Sequence, residues 1–339
     1  AEQSLVGILK VDGQYYNFLG QPVYPPETLL APGAIMPADC YFTERKPGKS
    51  WMNENYNPKE WMPGKMPFGS GWNNDAATEW KSKEIWVRRV FTMDQLPADP
   101  LLLQLRHDDD VEVFLNGQMI YQCAGCYTSD LKLYPLDELI RKNLKKGNNV
   151  LAIHCTNTAG FAWVDAGLVT QKKMEGVKPA IQNGFEMTAT KSKYSFHCGP
   201  VFLLCDFISP LIATDVDLMS KPASYIQFLV QSLDEKKHDV SLYFLTSDNL
   251  VRNKSNTPVK TQKGVYGKLQ YLKTGTVSQP VLKTKGDDVR IDWGYLYVAA
   301  YKNPKIRQSL ESTLPGKKLT GYTETKIDFG KIGDLPMPQ

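Results

Sequence analysis

The stretch 285-KGDDVRIDWGYLYVAA-300 carries Asp288, Arg290 and Asp292 at alternate positions. An extended chain would present all three on one face. Two carboxylates around a guanidinium are either a poised acid pair or an ionic ladder. At a rise of ~3.3 Å per residue the two acids stand ~13 Å apart, beyond the ~5–9.5 Å that separates the paired carboxylates of glycoside hydrolysis. Arg290 between them favours the ladder. After it the strand turns apolar on both faces, with Trp293, Tyr295 and Tyr297 on one and Leu296 and Val298 on the other. A partly solvated ionic face is the favoured reading of the residues alone. An interdomain contact at a domain boundary, through Asp288, Arg290, Asp292 and Trp293, is the alternative, which the resemblance given below takes up.

Other chemistry-bearing sets are sparse. Asp108-Asp109-Asp110 has the oxygen ligands of a calcium loop, but a strand start that caps backbone amides uses the same residues and is the favoured reading. Trp51, Trp61, Trp72 and Trp80 crowd one Gly- and Asn-rich stretch. Trp61 and Trp72 are candidate faces for stacking a sugar ring, against the alternative that their large apolar area anchors the loop to its own domain. Cys123-Ala-Gly-Cys126 is the one CxxC among six cysteines. It lacks the second ligand pair of a zinc site and the βαβ setting of a thioredoxin-type motif, so plain thiols or one local disulfide are expected. His107, His154, His197 and His238 are scattered, and the last chance of a familiar catalytic signature fails: there is no GxSxG, HExxH, phosphate-binding loop or dinucleotide fingerprint. No catalytic residue, cofactor or metal is assigned.

The elements that must position these residues read almost entirely as strands. Asp12-Gly13 and Asn116-Gly117 supply the positive φ of two-residue turns in hairpins at 8–20 and 111–121. Strand patterns recur at 84–91, 101–105, 149–157, 224–233 and 239–247, the last two flanking the polar Asp234-Glu235-Lys236-Lys237. Ile226, Phe228 and Val230 share a face. Helical spacing occurs at 136-LDELIRKNLKKG-147, with acids in the first turn, lysines in the last and Gly147 closing it. An all-β architecture of sandwiches is expected, which the resemblances given below imply to be a large antiparallel β-sandwich plus a galactose-binding-like jelly-roll β-sandwich.

The 339 residues are 42% hydrophobic and 22% charged, with a net charge of +4. No apolar run reaches the ~18 residues of a membrane span. The 40 basic and 36 acidic residues are spread along the chain and give no basic stripe, so nucleic acid is not expected as a partner. The chain starts AEQS with no charged-plus-apolar leader, as expected where a signal peptide is absent or removed. Composition shifts near 22–35 and 170–182 mark two crossings, so the middle region is either a separate module in line or one inserted into another domain. The resemblances given next imply the second, with domains 1–35, the first strands of the large sandwich; 36–171, an inserted jelly roll; and 172–339, which completes the sandwich begun by 1–35.

Two resemblances sharpen this. At 84-EIWVRRVF-91, 108-DDDVEVFLNGQMI-120 and 147-GNNVLAIHCTNTAG-160, with 60-EWMPGKMPFG-69 leading in, the middle region resembles the galactose-binding-like jelly roll of β-galactosidase-type glycoside hydrolases. The flanks, at 5-LVGILKVDGQYYNFLG-20, 184-GFEMTATKSKYSFHCGPVFLLCDFISPL-211, 217-DLMSKPASYIQFLVQSLDEKKHDVSLYF-244 and 326-KIDFGKIG-333, resemble the N-terminal and central β domains of glutaminase A-type proteins of fungi and gut Bacteroidetes. That second resemblance implies a secreted, periplasmic or cell-surface hydrolase that converts L-glutamine to L-glutamate and ammonia. Its catalysis would lie in a C-terminal helical domain beyond this chain, and DVRIDWGYLY would seat that domain. The expectation is thus a non-catalytic β-sandwich portion of a larger protein whose partner is its own helical domain. The alternative is a carbohydrate-binding module of a glycoside hydrolase-like surface protein, with a glycan as partner.

Overall fold

The computed structural model describes residues 4–21, 23–24, 26–70, 76–128, 130–212, 214–253, 257–283, 290–314, 319 and 321–333. The chain divides into a middle unit, Tyr24–Lys172, and a flanking unit made of the segments before and after it. Nearly every regular element is a strand, and nearly all pairings are antiparallel.

In the middle unit the strands Gln118–Cys123, Asp110–Leu115, Gly147–Thr156, Glu84–Met93, Ala38–Thr43 and Met62–Met66 lie in that order in one sheet. Lys132–Pro135, Leu101–Asp108, Trp163–Thr170, Phe68–Gly69 and Thr78–Glu79 form the second, with Glu27–Leu30 also paired to Trp163–Thr170. From residue 84 to 170 the chain passes repeatedly from one sheet to the other, as a jelly roll requires. Alternation explains which faces meet: Leu101, Leu103, Leu105 and His107 of one strand point inward at 0–1% exposure, against Val113, Leu115, Leu151 and Ile153. Each such aliphatic side chain contributes about 1.5–3 kcal/mol by leaving water. The sequence-based boundary at 36 falls inside this unit, because Glu27–Leu30 is already a strand of its second sheet.

The flanking unit is also a sandwich. One sheet runs Val177–Pro179, Gln14–Leu19, Leu5–Val11, His238–Ser247, Tyr322–Ile332, Ile306–Ser309; the facing one runs Ile181–Met187, Lys191–Cys198, Val201–Ile208, Tyr225–Ser232. Leu9, Phe18, Phe196, Leu203, Leu242 and Phe244 meet between them, and Ile226, Phe228 and Val230 pack on that core as their shared face predicts. A separate three-stranded sheet comprises Val259–Tyr266, Leu269–Thr276 and Leu296–Tyr301.

Both hairpins form as read, with Asp12 and Asn116 at φ of 47° and 50° and Gly13 and Gly117 at 91° and 85°. The turn at 234–237 carries the chain from one sheet to the other rather than closing a hairpin. The helix expected over 136–147 shrinks to Glu138–Arg141, capped by Asp137. Asn143 and Asn149 end it: the Asn143 amide donates to the Leu115 carbonyl, the Asn149 side chain accepts from Lys145 N, and Gly147 already starts a strand.

Two buried polar anchors fix loops. In the middle unit Asp165, fully buried, accepts from Gly33 N (2.7 Å) and Ala34 N (2.8 Å), while Arg89 donates to the Ala31 carbonyl. Burial pushes the Asp165 carboxyl up to about 6 despite those amides. Gly33 passes so close to the 66–67 backbone that a Cβ would stand 2.1 Å from the Met66 carbonyl carbon. In the flanking unit His238 bridges Asp12 (2.6 Å) and Asp234 (2.7 Å), tying two turns together. Its hydrogen bonds to Asp234 and then Asp12 raise the imidazole above its ordinary 6.5. The same bonds hold both carboxyls below 3.8.

These anchors give two tests. Gly33→Ala must displace backbone and is expected to cost about 1–3 kcal/mol, read as a lower denaturant midpoint of the middle unit. The His238 contribution is complete below 6.5 and is lost as pH rises through its raised value, whereas the Asp12 and Asp234 contributions are complete above 3.8 and are lost as pH falls. All three therefore act together between those values. The thermal midpoint of the flanking unit should fall from pH 6 to 9, and the fall should be shallower in His238→Asn.

Candidate functional site

Strand register brings four polar and aromatic side chains into one row on the outer face of the first sheet of the middle unit. Gln122 pairs with Glu112, Glu112 with His154, and His154 with Trp86. The His154 ring lies on the Trp86 indole, centroids 4.6 Å apart and planes 5° from parallel. Its Nδ1 contacts Glu112 Oε2 at 3.0 Å and its Nε2 contacts Glu84 Oε2 at 2.9 Å. With both nitrogens engaged, the imidazole is a brace for two carboxylates and not a base open to a substrate proton. The Glu84 and Glu112 side chains remain 40% and 45% exposed.

Beside this brace lies a hollow of about 230 Å³ bordered by Asp110, Glu112, Gln122, Cys123, His154 and Thr156. Its rim is fixed twice: Cys123 and Cys126 form a disulfide, and Gly125 N donates to Asp110 Oδ1 at 2.6 Å. The lining offers carboxylate acceptors, an amide that both donates and accepts, and a hydroxyl. That set suits a ligand dense in hydroxyl groups. It holds no arrangement of nucleophile, free base and orienting group.

The sequence candidates lie elsewhere. Trp61 is 8% exposed, near-stacked on Trp51 (6.3 Å, 29°) and edge-on to Tyr56 (5.8 Å). Both indoles cover Phe114, Val150 and Ala152 of the sheet. Buried Arg88 pins that loop through the Trp51 carbonyl. Trp61 is thus framework, with no ring face left for a sugar, and Trp72 lies outside the described residues.

The three aspartates have separate tasks. Asp109 accepts from Thr158 N (2.7 Å) and Ala159 N (3.2 Å) and from the Thr158 hydroxyl. Asp110 caps Gly125. Asp108 shares a hydrogen bond with Asp109, and burial first, then that bond, pushes its carboxyl up to about 6. The calcium reading gives way to amide capping: among the described residues no group of three or more His, Cys, Asp or Glu side chains is placed to hold a metal ion.

The strand alternation read for the ionic stretch does not extend over it among the described residues. Asp288 lies outside them, and the strand begins only at Leu296. Residues 290–295 are a loop, with Arg290 N donating to Asn253 Oδ1 (2.9 Å) and the carbonyl of buried Asp292 accepting from Thr276 Oγ1 (2.6 Å). Gly294, at φ +82°, is held at N and O by the Gln279 amide. These local bonds, not strand alternation, set where Asp292 and half-buried Trp293 sit.

Sequence reading treated His154 as a strand histidine and did not single out Glu84 or Glu112. The signal was present only as outward-facing polar residues in three separate strands; the register that joins them is tertiary.

A domain family described only as being of unknown function (DUF5127) matches residues 190–321. No curated protein sequence matches the chain significantly. Among solved structures it is similar to Bacteroides uniformis β-glucuronidase 2 (13% identity, TM-score 0.34, 66% of this chain and 30% of that one). It is also similar to a glycosyl hydrolase family 2 member from Bacteroides cellulosilyticus (10%, 0.31, 85% and 37%) and to a β-glucuronidase from Ruminococcus gnavus (12%, 0.33, 75% and 49%). The chain spans less than half of each of these proteins. Similarity at this level carries no argument about chemistry, and the all-β fold rests on the strand pairings above.

Framework and ligand contact differ in their consequences for Trp61. Trp61→Ala is expected to destabilise the middle unit by about 3–5 kcal/mol in denaturant unfolding.

Proposed function

We propose that the chain is a β-sandwich portion of a larger, extracytoplasmic hydrolase-like protein, and that its middle unit binds glycan hydroxyls in the hollow beside Glu112. The observation that supports this is the hollow itself: exposed carboxylates braced by His154, an adjacent amide and a rim tied by a disulfide, on a sheet whose neighbouring outer surface is sealed by tryptophans. Braced acceptors bind hydroxyls with little ordering cost. A disulfide is in keeping with an oxidising compartment, hence a secreted, periplasmic or cell-surface location.

A second reading concerns the parent. The matched domain, 190–321, falls on the flanking sequence that resembles the central domain of glutaminase A-type proteins. On this reading the flanking unit supports a helical catalytic domain outside this chain. The loop through Arg290, Asp292 and Trp293, together with Asp288, would seat it.

One pair of measurements separates the readings. Titration of the chain with neutral galactose- and glucose-based oligosaccharides should show saturable binding that Glu112→Ala weakens about tenfold or more and Gln122→Ala about 2- to 10-fold, in line with losing a hydrogen bond to a charged and to a neutral group. No saturable binding would remove the glycan reading. The chain alone is expected to release no ammonia from glutamine, while the full-length parent would if it is a glutaminase.

A further inference from the structure

The three-stranded sheet of the flanking unit presents a face that the glycan reading does not use and that the second reading touches only at Tyr295 and Tyr297. Its pairs Gly264↔Tyr271, Tyr271↔Ala299, Lys273↔Tyr297 and Leu269↔Tyr301 put Tyr266, Tyr271, Tyr297 and Tyr301 on one side, joined at its edge by Tyr295. Four of these rings are open to solvent: Tyr266 at 80%, Tyr301 at 71%, Tyr297 at 53% and Tyr295 at 50%.

The face is built, not merely exposed. A Cβ on Gly264 would stand 2.2 Å from the Tyr271 ring, so that ring lies across the glycine backbone; Gly275 gives the Tyr295 ring the same space, at 2.5 Å. Tyr271 and Tyr297 meet edge to face at 5.4 Å. Lys273 Nζ sits 3.7 Å from the Tyr295 ring centre and 5.8 Å from that of Tyr297, a cation held by two aromatic faces.

Charge is one-sided too. Residues 259–276 and 295–305 contain no Asp or Glu. Of their six lysines, Lys260 and Lys273 share the tyrosine face by register, Lys263 lies on the opposite one, and Lys268, Lys302 and Lys305 lie outside the paired strands. The chain as a whole has 40 basic and 36 acidic residues, so this is a local concentration and not a reflection of overall charge.

We propose that this tyrosine–lysine face binds an anionic polysaccharide, one bearing carboxylate or sulfate groups. Ring faces fixed on a pleated sheet stack on the apolar faces of sugar rings, and the lysines meet the charges between them. Charge complementarity favours an anionic over a neutral polymer. Tyrosine is common at protein interfaces too, but their cores are depleted of lysine, so the lysine set among these rings favours the polyanion. The disulfide of the middle unit is in keeping with the extracytoplasmic location proposed above, where glycans rather than single-stranded nucleic acid are the abundant polyanions.

Affinity electrophoresis of the whole chain tests this, with polygalacturonate, dextran sulfate, unsubstituted dextran and oligo-dT as probes. Retardation by polygalacturonate or dextran sulfate, weakening with added salt and absent with dextran, is expected; the two anionic arms tell carboxylate from sulfate recognition. Tyr301→Ala and Tyr266→Ala should each weaken binding roughly 3- to 10-fold, and Lys273→Ala with Lys260→Ala should flatten the salt dependence. Both tyrosines are more than two-thirds exposed, so an unchanged thermal midpoint is expected in their variants. Retardation that none of these variants alters, equal retardation by dextran, tighter binding of oligo-dT, or no retardation by either polyanion would each overturn the proposal. None of these results depends on the hollow beside Glu112, which Glu112→Ala reports separately.

Discussion

The pairing of the strand that enters the middle unit with the strand that leaves it is the constraint on which the molecule depends. Glu27, Thr28 and Leu30 pair with Thr170, Val169 and Leu168. Just outside, Tyr24 N donates to the Lys172 carbonyl at 2.9 Å, and Val23 bridges Lys173. A module whose ends are adjacent can sit within another domain without separating the strands on either side of it. Gln14–Leu19 and Val177–Pro179 illustrate this: some 160 residues of chain lie between them, yet they are neighbours in one sheet, Tyr15 beside Val177. They run parallel because the chain leaves and returns before resuming its direction.

Given those closed ends, each unit solves the same problem separately. Alternating apolar residues bury one face of every sheet, and the outer faces are left to differ. On the first sheet of the middle unit, Trp51 and Trp61 seal one region while Glu84, Glu112 and His154 keep the next one polar. On the small sheet of the flanking unit, glycines at 264 and 275 let tyrosines lie down on the backbone. What distinguishes the units chemically is carried on these outer faces, since the cores are aliphatic and aromatic in both.

The charged groups inside the sandwiches are structural. Asp165 and Arg89 hold the 31–34 loop, and His238 joins two turns through two carboxylates. Each of these three groups has a named backbone or ionic partner, as the cost of desolvation demands. That is why strand-borne histidines and aspartates here are poor guides to activity.

By itself the sequence determined what depends on short-range chemistry. Period-two alternation gave the strands, and Asp-Gly and Asn-Gly gave the turns, because φ above zero is a local demand that few residues meet. The composition shifts near 22–35 and 170–182 do not locate the strand that opens the middle unit, since nothing local marks 27–30 as belonging to one sheet rather than another. Whatever depends on register was not legible. Asp288, Arg290 and Asp292 alternate as a strand should, yet hydrogen bonds from Thr276 and Gln279 hold the loop through Asp292 and Gly294. Trp61 looked available and is buried, because only the folded sheet supplies the Phe114 and Trp51 surfaces that cover it. Glu84, Glu112 and His154 are 28 and 42 residues apart along the chain and become one cluster only when three strands align. Tertiary structure decided the candidate site, because side chains from separate strands acquire neighbours only through pairing across the sheet.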